Sequence, residues 1–524
     1  MRKRTLYIIL VLFGFSLSVF SQQGKADVED ADEHYKHGNY IMALPIYRDI
    51  LKKEKNNRKV QFKLAMCYLN TNYNRTEAIK HLESITEDPK CDEEAWFQLG
   101  RAYHQAGKVD DAIIAFNKFK QLAPKKFVEE VARNLEMCNN AKIFMENPVN
   151  VAFTNLGKEI NSEDPDYYPF VSSDETFMVF TSRRKENIGG KKVEVDGYHP
   201  SDIWFSKVEA GKWTKAANPG NIINGALDEQ AVWMKPDGSE MMVYLDHIEK
   251  FGDLYVSKRN AGGDFTKWKP LPNAELINEK IETSGCFGPD GNVIFFARRD
   301  KVEGKNDIYS CRKLPNGKWG MPYRLPDEIN TQYNEDFPSL SPDGLTLYFA
   351  SEGHNSMGGY DLFKSTYNPE NNTWSKAVNM GFPINSTTDD RSISITSDNR
   401  AAYISTWRPG SFGDLDIYRI RFNDNEQIVR IFTGKISLSD TIYKRTSTIV
   451  TIIAKNVANN EEFTFVPNSK TGKYVVALGA GTYKLSIHAI GYEVLTEEMV
   501  ISDIGKIEIE KNDKNYVLTR KAKK

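Results

Sequence analysis

The chain has 524 residues, of which 40% are hydrophobic, 12% aromatic and 27% charged, with 69 basic against 71 acidic side chains. This is globular composition at a length that calls for about three domains, so a disordered chain is excluded, and the formal net charge of -2 leaves no global electrostatic footprint for nucleic acid. Five dispersed cysteines without a CxxC pair exclude a dense disulfide framework and a zinc ribbon.

Arg2, Lys3 and Arg4 precede an apolar run from Leu6 to Phe20, and Ser21 supplies a small residue for cleavage. A basic head, a short apolar stretch and a small cut site form the pattern of a secretory signal peptide, expected over residues 1–21. The run falls short of the roughly 20 apolar residues of a bilayer span; an uncleaved anchor is the alternative. No cysteine follows the cut to carry a lipid, and no later segment is apolar enough to span a membrane. The expectation is an exported chain.

Residues 28–147 carry a helical repeat. Trp96, Leu99, Gly100, Tyr103, Ala112, Phe116 and Pro124 follow the tetratricopeptide pattern in order and spacing, with earlier copies around Leu64, Ala65, Tyr68, Ala78 and Leu82, and around Ala31, Tyr35, Ala43 and Tyr47. The small residues are needed where two helices cross closely, and the rings fill the space around that crossing. Three helix pairs are expected, with an amphipathic cap over Phe127 to Phe144. Stacked pairs form a concave groove, and on the first helix of each pair the groove positions are Tyr35, Phe62, Met66, Leu69, Phe97, Arg101 and His104. Aromatic and Met side chains there suit a peptide or partner helix. The other reading is that they pack on the neighbouring repeat or the next domain.

From 150 to 426 the hydrophobic period becomes two. Turns recur at Ser173-Asp174-Glu175, Pro236-Asp237-Gly238, Pro289-Asp290-Gly291, Pro342-Asp343-Gly344 and Ser397-Asp398-Asn399, each between apolar runs. A third strand opens on Asp202, Asp253, Asp307, Asp361 and Asp416. A fourth carries Trp213, Trp268, Trp319 and Trp374, followed by Ile-Asn pairs ending at Asn224, Asn278, Asn330 and Asn385. The fifth copy lacks its fourth strand, while an orphan Ile160-Asn161 follows the strand-like Val151-Ala152-Phe153. The expected fold is a β-propeller of five four-stranded blades, six being the alternative count, whose last blade is completed by this N-terminal strand.

Eight residues before each turn Asp stands an acid: Asp166, Glu229, Glu282, Glu335 or Asp390. One reading is a ring of carboxylates facing one mouth of the channel, a site for a cation or basic peptide. The other is that each caps local backbone N–H groups.

Residues 428–520 alternate again, with strand-like segments around Ile449 to Ile453, Tyr474 to Leu478 and Tyr483 to Ile487, and read as a small β-sandwich. The chain has no Walker loop, HExxH or Gly-x-Ser-x-Gly elbow, and its histidines show no metal-ligand spacing. No catalytic residue, metal or cofactor is expected.

In this order the three segments resemble OmpA-family envelope proteins of Bacteroidetes-type bacteria, which join tetratricopeptide repeats, a WD40-like, TolB-type propeller and a carboxypeptidase regulatory-like sandwich. The matching residues are Trp96 to Pro124, the Pro-Asp-Gly and Asp-Ile-Tyr repeats, Gly472-Lys473-Tyr474, Gly481-Thr482-Tyr483 and Gly491-Tyr492. Relatives include PorE-like components of the type IX secretion and gliding machinery. The resemblance implies a non-enzymatic periplasmic, outer-membrane-associated scaffold whose partners are other envelope or secretion proteins. Full-length relatives add a C-terminal peptidoglycan-binding domain; the last strand-like residues here end near Leu518, so direct peptidoglycan binding is not expected. The competing function is a sensing propeller that binds a cation, peptide or glycan.

Overall fold

The computed structural model describes residues 27–246, 253–275, 277, 280–397, 399–423, 430–439, 449–457, 460, 462–479, 481–501 and 512–522. The segment 1–21, Asn278, Asp398 and the expected domain junction at 426–428 lie outside them. The chain forms two compact units that divide after Asp424.

The first unit opens with seven helices: α1 (27–36), α2 (Tyr40–Lys53), α3 (Arg58–Leu69), α4 (Thr76–Thr86), α5 (Glu94–Gln105), α6 (Val109–Leu122) and α7 (Val128–Glu146). Asn39 and Asn57 cap α2 and α3 by accepting from the N–H groups of Met42 and Val60, both at 3.1 Å. Within each pair the small positions are fully buried, as at Ala31, Ala43, Ala65 and Ala78. At Gly100 a Cβ would lie 2.7 Å from the Phe116 ring, so α5 and α6 cross at a distance only glycine permits.

Among the described residues, five antiparallel sheets follow. Sheet I is Asp166–Val171, Phe177–Ser182, Asp202–Glu209 and Lys212–Trp213; sheet II is Asp228–Met234, Glu240–Asp246, Asp253–Lys258 and Lys269–Pro270. Sheet III is Ile281–Phe287, Val293–Arg299, Asp307–Arg312 and Tyr323–Arg324. Sheet IV is Glu335–Leu340, Thr346–Ser351 and Asp361–Asn368, with the short Thr373–Trp374 and Val378–Asn379 both on the third strand. Sheet V is Ile393–Ile395, Ala401–Thr406 and Asp416–Phe422, and its fourth strand is Val151–Asn155, with Val151 opposite Phe422. The fourth strands of sheets I to III are only two residues long; Trp268 stands just before one, and Trp319 reaches its sheet by a single bridge to Lys313.

Apolar clusters link these sheets in a cycle. Val179 and Ile203 of sheet I pack with Met241 and Val243 of sheet II. One cluster joins sheets II, III and IV through Met242, Phe296 and Phe349. Leu362 of sheet IV meets Ile404 of sheet V, and Tyr403 and Ile417 of sheet V meet Met178 and Phe180 of sheet I.

The Ile-Asn pairs now have a physical role. In four copies the buried Asn binds one third-strand residue twice, its Oδ1 accepting from the backbone N–H and its Nδ2 donating to the same residue's C=O. Asn161 holds Ile417 (2.8 and 3.1 Å), Asn224 holds Ile203 (2.9 and 2.8 Å), Asn330 holds Ile308 (2.7 and 2.9 Å) and Asn385 holds Leu362 (2.7 and 2.9 Å). Six residues before three of them stand Asn155, Asn218 and Asn379. Each donates to the third-strand aspartate, Asp416, Asp202 or Asp361, at 2.6, 2.6 and 2.7 Å. Each also accepts from the N–H of a glycine two residues on, and these glycines have φ between +76° and +79°. This Asn-x-Gly-x3-Asn pattern is written in the sequence, where the Ile-Asn pairs alone do not reveal it; in sheet III Arg324 takes its place on Asp307, at 2.9 Å.

The second unit holds two four-stranded sheets. One contains Arg430–Leu438, Lys473–Leu478, Asn512–Asp513 and Tyr516–Leu518; the other contains Val450–Asn456, Glu462–Phe465, Gly481–Ala489 and Leu495–Ile501. Ile436, Val476 and Leu518 of the first share one core with Ile452, Leu485 and Ile487 of the second.

Replacing Asn161 by Ala leaves the Ile417 N–H buried without an acceptor, which costs about 2 kcal/mol. Denaturant unfolding of N161A and of N385A is expected to show similar losses, since the N-terminal strand is held by the same bonds as an internal one.

Candidate functional site

The helices sit against the sheets through side chains that read backbone. On α7 the Arg133 guanidinium donates to the carbonyls of Glu352, Gly353 (3.2 Å) and His354 (3.4 Å), and lies 4.7 Å over the Tyr333 ring. Asn140 donates to the Ser356 carbonyl at 3.0 Å, and His104 on α5 donates through Nε2 to the carbonyl of the fully buried Met357 at 2.9 Å. Burial pushes the His104 imidazole down to about 4, so it is neutral at pH 7 and keeps this tautomer. Segment 352–357 is thus held along the α5–α7 end of the concave face as a bound peptide would be. Further along the seam, Asn72 donates to Asp414, Tyr198 donates to Asp414 at 2.5 Å, and Arg75 lies 5.7 Å over the Trp407 ring.

Between these contacts is a chamber of about 770 Å³, walled by α3, α5 and α7 on one side and by sheets I, II and V, with loops that include Gly358 and Gly359 of sheet IV, on the other. The seven expected groove residues divide here. Tyr35 packs edge-on against Tyr40 (5.5 Å) and Tyr47 (6.1 Å), and Phe62 and Met66 pack in the same helical core. Phe97 is 8% exposed among Phe116, Phe119 and Phe127. These four serve helix packing, and Leu69, Arg101 and His104 face the seam. The helical period identifies an inward stripe but not what fills the space beyond it.

The five repeated acids do not present a ring at an open mouth. Asp166, Glu229, Glu282, Glu335 and Asp390 are each at most 1% exposed. Four accept from the N–H four residues earlier, Ser162 (2.6 Å), Gly225 (2.9 Å), Thr331 (2.8 Å) and Ser386 (2.7 Å). Asp166 also pairs with Arg184, and Glu282 with Arg298 at 2.8 Å. Strand alternation explains the placement: the residue after the acid faces the other way, and it is Tyr167, Gln230 and Arg391 that line the chamber. Burial pushes Glu229, Glu282 and Glu335 up to about 7 and Asp390 up to about 6.

The chamber wall carries an arginine outside any ion pair and one buried amide oxygen. Arg101 makes one hydrogen bond, to Gln98 on its own helix at 2.9 Å, and among the described residues it forms no ion pair. Its burial holds the guanidinium below its usual range. Gln105 has a buried Oε1 without a hydrogen-bond partner. Across the chamber Arg391 pairs with Asp389 at 2.7 Å and stacks 5.0 Å from Tyr360. Tyr168 lines it with φ +53° just before Pro169, and packs on Phe337, which has the same φ just before Pro338, with ring centroids 4.7 Å apart. A left-handed backbone at a bulky residue costs about 1–3 kcal/mol and persists where surrounding structure enforces it.

The tetratricopeptide repeat family matches residues 59–90 and 93–126, so this part of the chain consists of tetratricopeptide repeats. No curated protein matches the chain. Among solved structures the chain is similar to that of a putative TolB from Agrobacterium tumefaciens, at 14% identity and TM-score 0.31 over 63% of this chain and 97% of that one. The periplasmic gluconolactonase of Pseudomonas aeruginosa is similar at 11% identity and TM-score 0.27, over 64% of this chain and 85% of that one. A glycosyl hydrolase from Bacteroides ovatus is similar at 11% identity and TM-score 0.32, over 49% and 84%.

Two outcomes test this geometry. Arg133→Ala removes the donor to three carbonyls, and limited proteolysis should then cut within 352–357, a segment the native protein protects. Glu335→Gln tests the buried acids. A carboxyl lifted to about 7 on folding binds a proton that the unfolded chain, with an ordinary value near 4.5, has already released. The stability it contributes is therefore complete below pH ~4.5 and is lost as pH rises through about 7. Between pH 5 and 7 the unfolding free energy of the native chain should fall with pH more steeply than that of E335Q, by up to about 1.4 kcal/mol per unit.

Proposed function

We propose that the protein is a non-enzymatic scaffold of the bacterial envelope that docks envelope or secretion proteins through its helical repeats and sheet faces. The observation that carries this reading is the tetratricopeptide region itself, a module for protein–protein contact, anchored on the sheets by Arg133, Asn140 and His104. Large apolar side chains remain exposed for partners on the helices, at Ile114 (66%) and Ile143 (59%), and on sheet III at Tyr323 (62%), beside Met321 (77%). In this reading the cycle of five sheets is a closed five-bladed propeller and the second unit a carboxypeptidase regulatory-like sandwich. A signal peptide over 1–21 delivers the chain to the periplasm, at the outer membrane, as in the PorE-like proteins it resembles. Among the described residues no helix is long and apolar enough to cross a membrane.

Capture of the tagged full chain from cross-linked cell envelopes tests the reading. Defined envelope proteins should come down with it, and in smaller amounts when Ile114 and Ile143 are changed to Asp. A chain recovered alone and monomeric would sink the scaffold assignment.

A further inference from the structure

We propose that the cleft between sheets II and III, at the end of the sheets turned away from the chamber, binds a phosphate-bearing ligand, a soluble phosphoester or a lipid headgroup, through Lys267, Lys269 and Lys313. The site is independent of the scaffold reading. On the inner strand of sheet II, Gln230 lines the chamber, while Pro236 and Asp237, beyond the other end of the same strand, line this cleft. Its volume is about 780 Å³, within the roughly 300–1,000 Å³ of small-molecule sites. The buried Trp233 and Trp319 form its floor, with Phe287 at ring-centroid distances of 5.3 and 6.0 Å from them. Five lysines surround that floor, Lys235, Lys258, Lys267, Lys269 and Lys313, against three carboxylates. Lys235 pairs with Asp237 at 3.0 Å and Lys258 with Glu240 at 3.7 Å. The third acid, Asp290, accepts from the N–H and the side-chain amide of Asn292 at 2.9 and 3.1 Å. Lys267, Lys269 and Lys313 are exposed and form no ion pair among the described residues.

Two of these lysines are exceptions in the repeat. Two residues before the turn Asp stand Ser172, Lys235, Gly288, Ser341 and Thr396. Ser172 and Ser341 donate to their turn aspartates at 2.6 and 2.5 Å, and Thr396 donates to the Ala401 carbonyl at 2.9 Å, so a hydroxyl here closes the turn. Lys235 gives up that bond. Opposite the fourth residue of the third strand, sheets I to IV place Ala217, Lys269, Tyr323 and Val378. Only sheet II has a charge there. What folding needs recurs in every copy; these two departures serve something else, and both bring a cation to one cleft. The chemistry selects phosphate. A lysine ammonium is a point charge without the planar fork that matches a carboxylate, and no arginine lines the cleft. Three unpaired ammoniums call for more than the single charge of a carboxylate, and a phosphomonoester brings about −1.5 to −2. A peptide strand finds little to pair with, because Pro236, Pro270, Pro272, Pro289 and Pro342 have no N–H. Lys313 stands 5.7 Å over the Trp319 ring, so its charge meets the phosphate where the aromatic floor can receive the sugar or acyl body behind it.

The test titrates the full chain with inorganic pyrophosphate, glucose 6-phosphate and phosphatidylglycerol vesicles, with glucose, succinate and phosphatidylcholine vesicles as references. At least one phosphate probe should bind above its reference, and the tightest of the three tells a soluble phosphoester from a headgroup. Lys269→Gln combined with Lys313→Gln should weaken that probe at least tenfold. Lys212→Gln combined with Lys215→Gln, exposed lysines of sheet I outside the cleft, should change it less than twofold. Lys235→Ser returns to the turn the hydroxyl that sheets I and IV carry, so it should weaken the probe severalfold and melt at or above the native temperature. No phosphate probe bound, affinity within twofold on the K269Q/K313Q chain, an equal loss from the sheet I pair, succinate bound as tightly as phosphate, or a K235S chain that melts lower with binding unchanged would each overturn the site.

Discussion

Within the first unit the placement of the helices and the closing of the sheet cycle follow from the pairing of Val151–Asn155 with Asp416–Phe422. It joins strands more than 260 residues apart, a costly loop closure that only many simultaneous bonds repay. Asn161 completes it by holding Ile417 as Asn224, Asn330 and Asn385 hold their own third strands. The pairing leaves sheet V with no missing strand, and Ile417 then packs on sheet I. It also positions the helices, because only four residues separate the end of α7 at Glu146 from the start of the strand at Val151. The repeats therefore stand where the sheet cycle closes, and Arg133 and His104 reach the loops of sheet IV from there.

That position changes what the concave face of the repeats is. A free stack would offer its whole groove to partners. Here the α5–α7 end is occupied by the chain's own segment 352–357, through hydrogen bonds to its carbonyls. The α3–α5 end is left facing a chamber shared with the sheets. The surfaces left over are of two physical classes: exposed apolar residues on the outside, and a partly enclosed polar seam.

The repeated acids show how a one-residue register decides chemistry. Their regular spacing made them conspicuous, yet each lies inside its sheet, bound to nearby backbone, serine or arginine. Their neighbours Tyr167, Gln230 and Arg391 face the chamber, and these three differ from one another as functional positions in a repeat do. A feature repeated in every copy reports what every copy needs for folding. The Asn-x-Gly-x3-Asn clasp, present in three copies, serves folding in the same way, and its signal stands in the sequence beside the Ile-Asn pairs.

By itself the sequence determined the local elements and their order: helix pairs from the spacing of Ala65, Gly100 and Phe116, strands and turns from the Pro-Asp-Gly repeats, and the transfer of the first strand to the last sheet from the orphan Ile160-Asn161. These depend on periodicity and turn chemistry within a few residues, which a linear text records. Tertiary structure alone decided that Leu69, Arg101 and His104 share a chamber with Arg391 and Trp407, that Phe97 and Met66 belong to the core, and that the five acids are internal. Those outcomes turn on which face of an element meets which distant neighbour, and spacing along one chain does not encode the neighbour.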